Sequence, residues 1–168
     1  GAVLMLADTD ACAGGGANCT RVSAASGALD FLRGRLPFTL IEWPAVRVKP
    51  CPIWSSSRRP DDHAAAMTHA QVLDAFVRHA SEDVLVVFEE GALARGPQPV
   101  ADAAAYVKSN MTTDLLSIGC DESADASAEG CVRAYAATKR GAQQLLGSLD
   151  QCGAPLAAQL KGMSGLAW

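Results

Sequence analysis

Two adjacent carboxylates that follow a strongly apolar segment are the residues best suited to chemistry. Glu89 and Glu90 come directly after the run 84–88, which has the composition of a buried strand. Ligands of open α/β sheets bind at the carboxyl ends of the strands. Carboxylates there suit a hard divalent cation, which takes oxygen ligands and can neutralise the charge of a departing diphosphate. The alternative is a pair of solvated acids at an ordinary turn, and these two residues alone do not decide between the readings.

The elements that must position these acids follow from the spacing of apolar residues. Short apolar runs alternate with helical periodicity, which predicts an α/β fold with a mostly parallel sheet flanked by helices. The predicted strands are 2–6, 38–42, 84–88, 115–118 and 134–137. The predicted helices are 64–80, capped by Asp61 or Asp62, then 100–108, and a third that begins after Thr138 as its N-cap.

His69 and the tryptophans each have two interpretations. His69 lies on the apolar face of the first predicted helix, together with Leu73 and Phe76, so it faces either the core or a cleft. It is either a core histidine hydrogen-bonded to a neighbouring strand or a contact for a ligand bound in that cleft. Trp43, Trp54 and Trp168 could stack on a sugar or base, or could simply cover the edge of the core.

Cysteines and glycosylation sequons bear on the compartment. The six cysteines lack paired CxxC spacing and so favour disulfides, with buried or free cytosolic thiols as the alternative. Cys120 and Cys131 bracket a turn-prone segment, which predicts a disulfide between them, unless they are two unrelated thiols. The N-x-S/T sequons at Asn18 and Asn110 predict N-glycosylation. Together these features indicate the secretory pathway, in the lumen of the ER or Golgi, or an extracellular location.

Length, charge and hydropathy bear on domain number, nucleic-acid binding and membrane insertion. The 168 residues fit a single domain, 1–168, which could belong to a longer chain. The net charge of −4, with no basic stripe, argues against a nucleic-acid partner. No apolar run approaches the roughly 20 residues that span a bilayer, so we expect no membrane span in this chain.

Five segments, in order between about residues 20 and 160, resemble glycosyltransferase family 25, which includes lipopolysaccharide glycosyltransferases and collagen galactosyltransferases. They contain Arg21 to Gly27, Thr68-His69 followed by the acidic strand end, Thr113-Asp114-Leu115, Ala134-Tyr135 with Arg140-Gly141-Ala142, and Pro155 to Leu160. The resemblance implies a GT-A-type fold, a nucleotide-sugar donor, a protein or glycan acceptor, and Mn²⁺ or Mg²⁺. His69, Asp114 and Gln159 lie in matching segments and become candidates for the cleft.

The acidic motif departs from the family pattern. Glu89 and Glu90 match its first two acids, whereas Gly91 stands at the third and Ala157 stands where an Asp is expected. Two hypotheses follow. The chain is a glycosyltransferase that moves a sugar from a nucleotide-sugar to a hydroxyl, or it is a catalytically inactive relative that serves as a structural or interaction module with a protein partner in a larger assembly. No catalytic residue is assigned, and an accidental resemblance is a third interpretation.

Overall fold

A computed structural model of the chain describes residues 2–7, 30–33, 39–43, 60–89, 97–118, 134–149 and 159. The strands in these ranges are β1 (Ala2–Ala7), β2 (Thr39–Trp43), β3 (Val84–Glu89), β4 (Leu115–Ser117) and β5 (Ala134–Thr138). The helices with complete bounds are α1 (Pro60–His79), α2 (Pro97–Asn110) and α3 (Lys139–Ser148). Residues 30–33 are also helical.

The predicted elements are confirmed, with strand ends that differ by at most one residue. Helices α1 and α2 begin earlier than predicted, at Pro60 and Pro97. Proline fits the first turn of a helix because its fixed φ is helical and its missing N–H would have no partner there. The predicted cap is therefore wrong, since Asp61 and Asp62 lie inside the first turn of α1. No helix in the described part of the chain is long and apolar enough to cross a membrane.

The strands form one mixed sheet in the order β2-β1-β3-β5-β4. Strand β1 pairs in parallel with β2 and β3, whereas β5 is antiparallel to both β3 and β4. The α/β class is thus confirmed, but the expectation of a mostly parallel sheet is wrong for these pairings. If β5 were parallel to β4, the chain between them would have to form a crossover, usually a helix. Residues 119–133, which join the two strands, have a turn-prone sequence without helical periodicity. The antiparallel direction of β5 agrees with that sequence.

Helices pack on both faces of the sheet around its central strand, β3. One face of β3 contributes Leu85 and Val87 to a core shared with α1 and α3. The other face contributes Val86 and Phe88 to a core shared with α2 and the helical residues 30–33. These four side chains are at most 3% exposed. Burial on both faces explains why the strand reads as an unbroken apolar run rather than an alternating one.

Candidate functional site at the carboxyl edge of the sheet

The last residues of three parallel strands lie side by side at one edge of the sheet, which we call the carboxyl edge. Ala7, at the end of β1, is in register with Trp43 of β2 on one side and with Glu89 of β3 on the other. Neighbouring strands are about 4.8 Å apart, so the backbones of Trp43 and Glu89 are separated by roughly 10 Å. Two of the residues singled out from the sequence are therefore brought to the same edge.

Glu89 also lies where the direction of the chain's crossovers changes. From β1 the chain continues to β2 on one side of the sheet, and from β3 it continues through α2 to β4 on the other side. In open α/β sheets such a switch point leaves a crevice outside the carboxyl ends of the two diverging strands, and ligands bind there. The strand that ends at Glu89 is central, so these acids do not follow an edge strand.

The acidic pair fits a divalent cation by its chemistry. Mg²⁺ in nucleotide complexes is usually held by one or two carboxylates together with phosphate oxygens, so two glutamates need no third protein ligand. Among the described residues, no group of three or more His, Cys, Asp or Glu side chains could hold a metal ion. Glu90, Gly91 and Ala157 lie outside the described residues.

His69 lies in the core beneath the carboxyl edge. Its side chain is 1% exposed, and its Nδ1 shares a hydrogen bond of 3.1 Å with the hydroxyl of Tyr135 on β5. Tyr135 is in register with Val87, two residues before Glu89, which places this level of the sheet about 7 Å below the edge. The structure therefore favours the core histidine over a direct contact with a donor.

Asp114 lies at the opposite edge of the sheet, which we call the amino edge. Its carbonyl accepts a hydrogen bond of 2.9 Å from the backbone N–H of Thr138. Thr138 is in register with Val84, the first residue of β3, so this level is about 17 Å along the strand from Glu89. The structure does not bring the cleft candidate Asp114 together with the acidic pair.

The Asp114 carboxylate joins the start of β4 to the start of α3. One carboxylate oxygen accepts a hydrogen bond of 2.6 Å from Nε of Arg140, and the other accepts one of 2.8 Å from the hydroxyl of Thr138. Thr138 caps α3, because its hydroxyl also accepts a hydrogen bond of 3.1 Å from the backbone N–H of Gly141. The bonds from Arg140 and then Thr138 hold the pKa of Asp114 below its usual value, although partial desolvation opposes them.

Gly141 allows α3 to approach the backbone of Asp114 closely, because it has no side chain. A Cβ atom at this position would lie 2.0 Å from the carbonyl oxygen of Asp114 and 3.1 Å from Cδ2 of Leu115. Two of the family-like segments, one with Asp114 and one with Arg140 and Gly141, therefore meet as a structural unit. The N-cap was predicted from the sequence, but the tie to Asp114 was not, since it joins residues 24 and 26 positions apart.

The remaining predicted residues are placed only in part. Gln159 is described as a helical, half-buried residue. Asn110 is the last residue of α2 and is exposed. Asn18, Cys120 and Cys131 lie outside the described residues.

No protein-family model, curated protein or solved structure matches this chain in the comparisons made.

Proposed function

We propose that the chain is a glycosyltransferase domain of GT-A type in the secretory pathway, which transfers a sugar from a nucleotide-sugar to a hydroxyl of a protein or glycan. The observation that carries the proposal is the position of Glu89 at the switch point between the carboxyl ends of β1 and β3. The family 25 resemblance of five ordered segments supports the same activity. The six cysteines and two sequons support the compartment.

In this reaction the acceptor oxygen bonds to the anomeric carbon of the sugar while the bond from that carbon to the diphosphate breaks. The nucleoside diphosphate leaves with the bonding electrons, and the acceptor hydroxyl loses its proton to a base. Glu89 and Glu90 would hold Mn²⁺ or Mg²⁺, which, when bound, neutralises charge on the departing diphosphate. The role proposed for these two residues is to position the donor across the strand ends.

Trp43 is a second candidate contact for the donor. It is half-buried at the carboxyl edge, where it packs against the core that contains α1 and α3. A tryptophan at such an edge supports the core with part of its ring and leaves the rest for stacking on a base or sugar. The register places it on the far side of Ala7 from Glu89, within the span of a nucleotide.

The alternative function is a catalytically inactive module that retains the fold as a scaffold for a protein partner. The observation that favours it is the replacement of two expected acids by Gly91 and Ala157. A missing general base typically lowers a rate by about 10²- to 10⁴-fold. The two functions differ in a simple way, because only the transferase needs to bind a nucleotide.

Isothermal titration with UDP and UDP-sugars, with and without Mn²⁺, tests the proposal. We expect binding that requires Mn²⁺, and a dissociation constant raised roughly tenfold or more by Glu89→Gln or Glu90→Ala, because each removes a ligand of the cation. Glu82→Gln is the matched control, since Glu82 precedes the same strand at the amino edge. The Glu82→Gln variant should bind UDP with the same dissociation constant as the chain without substitutions.

The outcomes separate the two functions. Binding that disappears without Mn²⁺ and weakens in both edge variants supports the transferase. No heat with any nucleotide, from a chain that unfolds cooperatively, contradicts a donor site and favours the scaffold. Binding that is unaffected by either glutamate substitution would mean that the nucleotide lies elsewhere.

A further inference from the structure

Tyr106 stands out on the surface of α2. Its side chain is 60% exposed, and it is the one large hydrophobic residue with high exposure among the described residues. The opposite side of the same helix is buried, with Val100, Ala104 and Val107 each at most 2% exposed. Tyr106 therefore contributes little to the core, and its ring is available to a partner from outside.

Asn110 lies one helical turn after Tyr106, on the same side of α2. Its Nδ2 donates a hydrogen bond of 2.8 Å to the backbone carbonyl of Tyr106. Helical side chains lean toward the N-terminus and residues four apart are neighbours, so the Asn110 amide lies over the turn that bears the tyrosine. A group attached to Nδ2 would extend over this surface.

Asn110 is also the acceptor residue of the sequon Asn110-Met111-Thr112. Asn110 and Thr112 are both exposed, and α2 ends at Asn110. We propose that Asn110 carries an N-linked glycan whose first sugar packs against the ring of Tyr106. An aromatic ring offers an apolar face to the C–H groups of a pyranose, and its exposed position on α2 then has a function.

The modification replaces one hydrogen of the Asn110 amide. Nδ2 bonds to the anomeric carbon of an oligosaccharide carried on a polyprenyl diphosphate. The polyprenyl diphosphate leaves with the electrons of its bond to that carbon, and one N–H proton passes to a base of the host transferase. The amide keeps its second hydrogen. The hydrogen bond to the carbonyl of Tyr106 can therefore persist in the glycosylated protein.

The glycan would lie far from the proposed donor site. Helix α2 follows β3, which ends at the carboxyl edge, and precedes β4, which begins at the amino edge. Asn110 is four residues before Asp114 and so belongs to the amino edge. A glycan at Asn110 would therefore lie away from the proposed donor site beside Glu89, and the modification is compatible with either proposed function.

Expression in a eukaryotic secretory host, followed by mass spectrometry of peptides before and after treatment with an N-glycosidase, tests the attachment. We expect a glycan on Asn110 in the unmodified chain and in Thr112→Ser, which preserves the sequon. We expect none in Thr112→Ala, which keeps the asparagine but destroys the sequon. All three proteins also carry Asn18→Gln, so that any glycan detected is attached to Asn110. An unglycosylated Asn110 in the secreted unmodified chain overturns the proposal.

The contact with Tyr106 needs its own measurement. Tyr106→Ala should leave occupancy unchanged and lower the Tm of the glycosylated protein by roughly 2–4 °C. The same substitution in the Thr112→Ala background, where no glycan is attached, should leave the Tm nearly unchanged. Equal shifts with and without the glycan would mean that Tyr106 acts within the protein alone, and would overturn the proposed packing.

Discussion

His69 and Tyr135 share a hydrogen bond of 3.1 Å that joins α1 to β5 inside the core, between residues 66 positions apart in sequence. Their side chains are 1% and 3% exposed, and their ring centroids are 5.6 Å apart. A polar pair at this depth must be hydrogen-bonded, because burying a polar group without a partner is expensive. The bond holds α1 in one position along the strands, at the level of Tyr135 and beneath the carboxyl edge.

Tyr135→Phe should therefore destabilise the protein without altering the proposed donor site. The substitution removes only the hydroxyl, leaves the ring in place and deprives Nδ1 of His69 of this bond. We expect a loss of about 1–3 kcal/mol in the free energy of unfolding, measured by urea denaturation. Nucleotide affinity should be unchanged. A folded variant with weakened UDP binding would show instead that this pair shapes the site.

Gly141→Ala should be among the most damaging small substitutions in the described part of the chain. The new Cβ would lie 2.0 Å from the carbonyl oxygen of Asp114, and backbone on both sides would have to move. We expect a loss of about 3 kcal/mol or more in the free energy of unfolding, since overpacking against backbone is not relieved by a change of rotamer. Thermal or urea denaturation measures it.

Gly147→Ala is the matched control in the same helix. No atom lies within 4 Å of a Cβ at this position, and the residue is exposed. Because alanine is the better helix former, this variant should be more stable by about 0.5–1 kcal/mol. Equal effects of the two substitutions would contradict the close approach of α3 to Asp114.

Asp114→Asn should reduce stability at neutral pH and have a smaller effect in acid. The pKa of Asp114 is held below its ordinary value of 3.8 by the bonds from Arg140 and Thr138, so the folded protein favours the ionised form. A lowered carboxyl pKa contributes stability that is present above the unfolded value and is lost as the pH falls through the folded value. The difference between the two proteins should therefore be full near pH 7 and shrink below about pH 4.

Urea denaturation of both proteins between about pH 2 and pH 8 gives this difference directly. Asp74→Asn is a suitable comparison, because Asp74 accepts a hydrogen bond of 2.7 Å from Arg78 in an exposed pair on α1. Exposed pairs of this kind contribute about 0.3–0.5 kcal/mol, so this control should be nearly silent. A pH-independent loss in Asp114→Asn would mean that the carboxylate charge is not what joins β4 to α3.

Local patterns were enough to predict most of the fold. The run 84–88 has strand composition without helical spacing, and the N-cap at Thr138 has the residue type that such caps prefer. The direction of β5 was not predicted, because strand direction depends on how the chain returns and not on the residues within the strand. The role of Asp114 was missed for the same reason. Its hydrogen-bond partners, Thr138 and Arg140, lie in another part of the chain, and the family resemblance indicated a cleft residue instead.

The candidate site was also predicted only in part from the sequence. Glu89 was found from its place at the end of an apolar strand, and the strand order then put it at a switch point that no local pattern could reveal. Trp43 received no preference over Trp54 or Trp168 from the sequence. Its register with Ala7 singles it out, since that pairing depends on a contact between strands more than 30 residues apart.

The ends of the segment between β4 and β5 are held together, which bears on the predicted disulfide. The backbone N–H of Ile118 donates a hydrogen bond of 3.0 Å to the carbonyl of Ala134. Cys120 is two residues beyond Ile118, and Cys131 is three residues before Ala134. A chain spans at most about 3.5 Å per residue, so neither cysteine can lie far from this pair.

We therefore predict that Cys120 and Cys131 form a disulfide in protein from an oxidising compartment. Peptide mapping without reduction should recover the two cysteines in one cross-linked peptide pair. The bond closes a short loop, and its removal should lower the free energy of unfolding by up to about 3 kcal/mol. Cys120→Ser, Cys131→Ser and the double variant should lose equal amounts, because each removes the same bond. Recovery of both cysteines as alkylated thiols, or a double variant whose loss is the sum of the two single losses, would contradict the pairing.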